Sequence, residues 1–120
     1  MARILNLTLH EATPDQAAAG LVDASDRAAV ERLLTFESCP DRTVLQDRAR
    51  ALAALALAER ADVVMIGGAP YLMAPLERAL VAAGIEPLYA FSMRDSIEIR
   101  QPDGSNRKTQ VFRHAGWVWA

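Results

Sequence analysis

The sequence predicts an α/β domain, and three observations carry that prediction. Arg3 to Leu9 alternates apolar and polar residues of good strand propensity, and a compact helix start follows at Thr13-Pro14-Asp15-Gln16. Asp62-Val63-Val64-Met65-Ile66 is a continuous apolar run after a long amphipathic stretch, the composition of a buried parallel strand. Pro87 to Phe91 is a further parallel-type strand after another helical segment. Strand, helix, strand, helix, strand in this order specifies a mostly parallel sheet with flanking helices and right-handed crossovers.

Each element has a local reason. His10-Glu11-Ala12 is a short loop. Thr13 stands at an N-cap, Pro14 at the first helical position and Gln16 at the third, the spacing of a capping box. Gly20 ends that helix, and Leu21-Val22-Asp23 is a brief strand. Ser25 or Asp26 caps a second helix that runs to about Leu34. Asp41 to Arg60 is the longest helix, with Leu45, Ala49, Leu52, Leu55 and Ala56 on one face and Arg48 and Arg50 toward solvent. Gly67-Gly68-Ala69-Pro70 turns the chain from strand into a helix over Tyr71 to Ala83, which Gly84 ends. Ser96 to Arg100 and Lys108 to Phe112 alternate around Pro102-Asp103-Gly104-Ser105, a C-terminal β-hairpin added to the parallel core. The apolar end, Gly116-Trp117-Val118-Trp119, is expected to dock, against a second subunit if not against the chain itself.

Composition bounds the functional classes. The chain has 120 residues and a net charge of −2. That length suits a single domain over 1–120, since two cores of about 60 residues each would be marginal. Cys39 is the lone cysteine and cannot form an internal disulfide, which fits a reducing cytosol. One cysteine and two histidines, widely spaced, make no zinc pattern, and no carboxylates cluster in sequence, so no metal and no cofactor are expected. Alanine accounts for 23 residues, so the core is made of small side chains. The near-neutral balance excludes bulk binding to duplex nucleic acid but not a small anionic ligand. Positive charge gathers late: residues 92–120 hold five basic and three acidic residues, while residues 1–91 hold eight and twelve. The longest uncharged stretch, Val63 to Leu76, has 14 residues against the ~18 or more a membrane span needs, and glycines and prolines interrupt it. The N-terminus lacks an apolar stretch long enough for a signal peptide. A cytoplasmic location with no membrane partner is expected.

In open α/β sheets ligands collect outside the carboxyl ends of the parallel strands. Three loops reach that edge: Leu9-His10-Glu11 through Thr13, Gly67-Gly68-Ala69-Pro70, and Phe91-Ser92-Met93-Arg94. They offer an imidazole, hydroxyls, a glycine turn at a helix start and a guanidinium, a set that suits phosphate. Each piece alone has a plain structural alternative. Gly67-Gly68 is neither a full dinucleotide fingerprint nor a Walker loop, and serves equally as a tight turn. His10 and His114 can be ordinary structural histidines, Ser92 a strand end, Arg94 a surface ion-pair partner. Trp117 and Trp119 suit a core or an interface better than base stacking.

The order of these pieces resembles the small stand-alone CRISPR-associated proteins of the CARF-like, ring-nuclease kind. Leu9-His10-Glu11-Ala12-Thr13-Pro14-Asp15-Gln16 matches their Ser-His-x-Leu-Thr-x-x-Gln, with Leu9 in place of Ser and Ala12 in place of Leu. Gly67-Gly68 matches their glycine turn. Pro87-Leu88-Tyr89-Ala90-Phe91-Ser92-Met93-Arg94 with Glu98, and Val111-Phe112-Arg113-His114, match two later segments. The resemblance implies a Rossmann-like homodimer that binds a cyclic oligoadenylate across its two-fold axis and cleaves it without metal. On that footing Arg94 holds the scissile phosphate, while Ser92 and the amides near Gly67, Gly68 and Ala69 complete an anion pocket. His10 orients the attacking 2′-OH or protonates the leaving oxygen, Thr13 caps its helix and touches phosphate, and His114 is a reserve acid–base group. A non-catalytic binder of the same ligand, a structural interaction module with an empty crevice, and an unrelated enzyme on the same fold are the competing readings.

Overall fold

The computed structural model describes residues 3–120. Its elements are β1 (Ile4–Leu7), α1 (Pro14–Ala18), β2 (Leu21–Asp23), α2 (Arg27–Leu34), α3 (Arg42–Ala58), β3 (Val63–Ile66), α4 (Pro70–Ala82), β4 (Glu86–Arg100) and β5 (Asn106–Trp119). The strands form one sheet in the order β2-β1-β3-β4-β5. β1 runs parallel to β2 and β3, β3 parallel to β4, and β4 antiparallel to β5. The class is therefore α/β, as expected, on a mixed sheet.

Local chemistry starts the helices where the sequence places them. Thr13 Oγ1 accepts the Gln16 amide at 3.2 Å, and Gln16 Oε1 accepts the Thr13 amide at 3.1 Å, a complete capping box. Asp26 caps α2 through the Ala29 amide at 3.0 Å, and Asp41 caps α3 through the Val44 amide at 2.9 Å. Ser25 is the alternative that is not used, since its hydroxyl and amide donate to Glu59 instead. Gly20 stops α1 at φ 103°, a conformation open to glycine and costly for other residues.

The connections decide which face each helix covers. The chain moves from β1 to β2 in one direction across the sheet and from β3 to β4 in the other. Right-handed crossovers then place α1 and α4 on opposite faces. Two separate apolar clusters follow that division. Leu5, Leu7, Val64 and Ile66 pack with Val30, Leu52, Leu72, Leu76 and Leu80 from α2, α3 and α4. Ile4, Leu21, Met65 and Leu88 form the other cluster, covered by Ala12 and Trp117. The five-residue α1 touches both β2 and β5, so the sheet curls around it. Among the described residues no helix is long and apolar enough to cross a membrane.

Four expectations need correction. The alternation over Arg3 to Leu9 implies a half-exposed strand, but Ile4, Leu5, Asn6 and Leu7 are all buried, because β1 lies between two strands and is covered on both faces. The sheet is not mostly parallel by length: the parallel pairings span three or four residues each, whereas the β4–β5 pairing runs from Leu88 to Arg100. Pro87–Phe91 and Ser96–Arg100 are not separate strands but one continuous β4. The apolar end docks on the chain itself, as the end of β5 paired with Leu88-Tyr89-Ala90 and with Trp117 packed against a buried cluster. Arg48 does not face solvent. Its Nη1 donates to the carbonyls of Arg32, Leu33 and Thr35 at 2.7, 3.1 and 2.7 Å, and its guanidinium lies 4.8 Å from the Phe36 ring centre. Carbonyls at a helix C-terminus have no partner within the helix, and Arg48 supplies one from α3.

The continuous β4 and β5 project beyond the body as a two-stranded ribbon. The radius of gyration is 17.0 Å, where a compact chain of this length has about 14 Å. The ribbon closes at Gly104, φ 88°, with Gln101 N–H donating to Ser105 O at 2.7 Å and Asp103 accepting the Ser105 amide and hydroxyl. The body's stability rests on the helical layer. Leu52 is fully buried there, so Leu52→Ala should cost about 2–5 kcal/mol. Urea denaturation checks this, and a loss well under about 1 kcal/mol would mean α3 is not packed as described.

Candidate functional site

The strand order reverses between β1 and β3, which are adjacent in the sheet although α1, β2, α2 and α3 separate them in sequence. Loops leaving such neighbours diverge and open a crevice at the carboxyl edge. A crevice of about 520 Å³ lies there, within the range of small-ligand sites. His10, Thr13, Gly67 and Gly68 all line it, together with Thr8, Gln16, Tyr89 and Ala90.

The loop after β1 is held from beneath by Asn6. Its side chain is fully buried in a strand otherwise made of leucine and isoleucine. A buried amide needs partners for its two donors and its oxygen. Nδ2 donates to the His10 carbonyl at 2.7 Å and to Asp23 Oδ1 at 2.8 Å, while Oδ1 accepts the Thr8 amide at 3.0 Å and the Thr8 hydroxyl at 2.7 Å. Asp23 Oδ1 also accepts the Ala12 amide at 2.9 Å. Arg27 grips the same loop from α2, donating to the carbonyls of Leu9 at 2.7 Å and Thr8 at 3.4 Å. The backbone around His10 is thus fixed while its imidazole stays exposed in the crevice. Burial alone would raise the Asp23 pKa, but the Asn6 hydrogen bond, the Ala12 amide and the Arg27 charge outweigh it and hold the carboxyl below its ordinary 3.8.

The opposite wall is Tyr89, the point where β4 leaves the body. Its hydroxyl donates to Glu77 Oε2 of α4 at 2.8 Å. Burial, then the Glu77 hydrogen bond and charge, push its pKa up to about 12, so it remains a donor. Ala69 is the N-cap residue of α4, offers no side-chain cap and packs against the core; it does not line the crevice.

The remaining candidates lie on the ribbon. Ser92 sits directly across from His114, beside a bulge at Phe91/Ser92 that leaves Ala115 unpaired. His114 packs against Trp117 with the rings tilted at 52° and their centres 4.3 Å apart, and its buried Nδ1 finds no hydrogen-bond partner among the described residues. Arg94 faces Phe112 across the ribbon, with its guanidinium 5.3 Å from the ring centre. Side chains alternate along a strand, so Ala90, Ser92, Arg94, Glu98 and Arg100 share one face with His114, Phe112 and Lys108. That polar face continues from the Ala90 wall of the crevice. Among the described residues no three His, Cys, Asp or Glu side chains gather as a metal site.

A family model described as the uncharacterized protein MJ1673 family matches residues 2–118. The chain belongs to the MJ1673 family. Its shared region takes in the β1 loop, the glycine turn and nearly all of the ribbon, so crevice and projecting arm are both parts of the family's common chain. No curated protein and no solved structure matches the chain.

Sequence reasoning misses the supports in this MJ1673-family crevice. Asn6 is the one that carries a signal, a polar amide inside Ile4-Leu5-Asn6-Leu7. Asn6→Ala should cost about 1–3 kcal/mol by leaving buried partners unsatisfied, read by urea denaturation. Because the folded pKa of Asp23 is lowered, its contribution is present above 3.8 and is lost as pH falls through the lower folded value. Asp23→Asn should therefore be less stable than the parent at pH 7, with the gap closing below about pH 4. A gap that stays constant across that window would show the carboxylate plays no such part.

Proposed function

We propose that this chain is a metal-independent ring nuclease of the CARF-like kind, a Rossmann-like homodimer that opens a cyclic oligoadenylate and so switches off type III CRISPR signalling. The observation that carries this reading is the continuity of the crevice with the polar face of the ribbon. His10, Thr13, Gly67 and Gly68 stand at one end and Ser92, Arg94 and His114 along the other. Ala90 lines the crevice and Arg94 lies four residues further along β4, roughly 14 Å at strand spacing. A single phosphate does not span that distance, whereas a ring of several nucleotides does. The strand order 2-1-3-4-5 is one of the doubly wound orders whose switch point binds nucleotide cofactors, with the last strand here reversed.

In this reaction a ribose 2′-oxygen attacks the neighbouring phosphorus in line. The 5′-oxygen leaves and takes up a proton, and the product is linear with a 2′,3′-cyclic phosphate. Chemistry of this kind is promoted by positioning and by stabilising charge on the phosphoryl oxygens. Arg94 pairs with the scissile phosphate, held in aim by Phe112 beneath it. The Gly67 and Gly68 amides and Ser92 hold the adjacent phosphate. His10, on its fixed loop, orients the 2′-OH or protonates the leaving oxygen, and His114 can take the second role. Each chain carries the whole set, from His10 on the crevice loop to Arg94 on its own ribbon.

Leu9 stands where the resembling proteins carry a hydroxyl beside the histidine, which favours a second reading, a protein that binds the ring without cutting it. Incubation with cyclic tri-, tetra- and hexa-adenylate in EDTA, followed by chromatography, separates the two. Linear products are expected, with His10→Ala and Arg94→Ala each slowing turnover by about 10²-fold or more. An intact ring that co-elutes with the protein identifies the binder. Parent-rate cleavage by both variants refutes the assignment of roles, and the absence of both cleavage and binding refutes the ligand class.

A further inference from the structure

The β4–β5 ribbon has two unlike faces. The polar one faces the ligand in the reading above. On the other, Phe91, Met93, Ile97 and Ile99 from β4 and Val111 from β5 form an apolar row, each between 39% and 51% exposed. From Ser92 to Arg113 no residue is buried, so nothing among the described residues covers that row. A lone two-stranded ribbon is marginal in water, and one with an open apolar face needs a partner surface.

We propose that this apolar face packs against the same face of a second copy of the chain. Charge selects the occupant. Asp95 and Arg113 lie on the apolar face and neutralise each other at 2.8 Å, leaving the middle of the row without net charge. A strongly charged partner has nothing to pair with there, and an identical row meets no like-charge repulsion. Arg107, near the ribbon tip, is the remaining charge on that face. A two-fold axis through the middle of the row sets the ribbons antiparallel and carries each Arg107 toward the base of its partner. There Glu77, bonded to Tyr89 on the same face of β4, supplies a carboxylate. The edge of the sheet is a poorer contact. β5 presents Arg107, Lys108 and Arg113 and is kinked by its bulge, features that guard an edge against strand addition. Phe91 to Ile99 spans roughly 30 Å, and two such faces meeting bury on the order of 1,000 Å² in total, the lower bound for a specific interface.

The inference does not depend on the ring-nuclease reading, and its test contains no ligand. Sedimentation of the full chain should give twice its 13.1 kDa, falling toward the monomer on dilution. Ile97→Arg should shift the protein to monomer with an unchanged circular dichroism spectrum, while Gln110→Arg on the polar face should leave the dimer intact. Cross-linking tests the same geometry should the arginine variant fail to fold. In a Cys39→Ser background, Val111→Cys, which lies at the axis, should form a disulfide-linked dimer on mild oxidation and Gln110→Cys should not. A parent chain that is monomeric at every concentration overturns the proposal, as does an Ile97→Arg variant that stays dimeric. A monomer that sediments with neutral phosphatidylcholine vesicles would overturn it in favour of a lipid surface.

Discussion

The burial of one amide organises the functional end of this molecule. β1 is enclosed by neighbours on both sides and by apolar cover on both faces, so the Asn6 side chain has no water to bond. An unsatisfied amide in that position costs more than most single contacts supply. The chain meets the requirement by folding the segment after β1 back over the strand, so that Thr8, the His10 carbonyl and Asp23 become the partners. The crevice wall is a consequence of that satisfaction. His10 is placed by its backbone, which leaves the imidazole, exposed and outside the network, free for a ligand.

A second constraint acts at the other wall. β4 must leave a body it is part of and continue unsupported, and the exit is fixed at Tyr89, tied to α4 through Glu77. Below that point β4 is a buried parallel strand and above it an exposed antiparallel one. The rigidity of the exit lets a ribbon several residues long hold Arg94 in a defined direction relative to the glycine turn. The bulge just beyond the exit changes the twist of the pair at the place where Ser92 and His114 come opposite each other.

How much of this is legible in the sequence follows from how local each feature is. Helix starts are carried by residues three apart: Thr13 with Gln16, and Asp26 and Asp41 with amides on the next turn. They read correctly because no distant partner takes part. Ile4-Leu5-Asn6-Leu7 reads as a half-exposed strand because alternation in sequence does not reveal what covers the second face. Ser92-Met93-Arg94-Asp95 reads as an interruption because its strand state comes from pairing with residues 111–114. Arg48 reads as a solvated charge because its partners are carbonyls of another helix. His10, Thr13, Gly67 and Gly68 are found from strand ends alone, since the carboxyl edge of a parallel sheet is a property of topology. Asp23, Arg27 and Glu77, which hold the crevice in shape, are not, for they act through contacts between elements far apart in the chain.

The mixed sheet joins two kinds of surface that a purely parallel one keeps apart. Parallel strands end at the crevice, and their pairing stops where the loops diverge. Adding β5 antiparallel to β4 lets one strand run on past that edge, because its partner returns through a tight turn instead of a crossover helix. The extension carries no helix on either side. Period-two alternation then assigns polar residues to the face that continues the crevice and apolar residues to the face that turns away from it. A slip of one residue in the β4–β5 register would turn over the β5 side chains and place Val111 and Arg113 where Phe112 and His114 now stand. The bulge at Ala115, the turn at Gly104 and the cross-strand Asp95–Arg113 pair fix the register at three points along the ribbon. Site and contact surface are therefore two sides of one alternation, and the same register determines both.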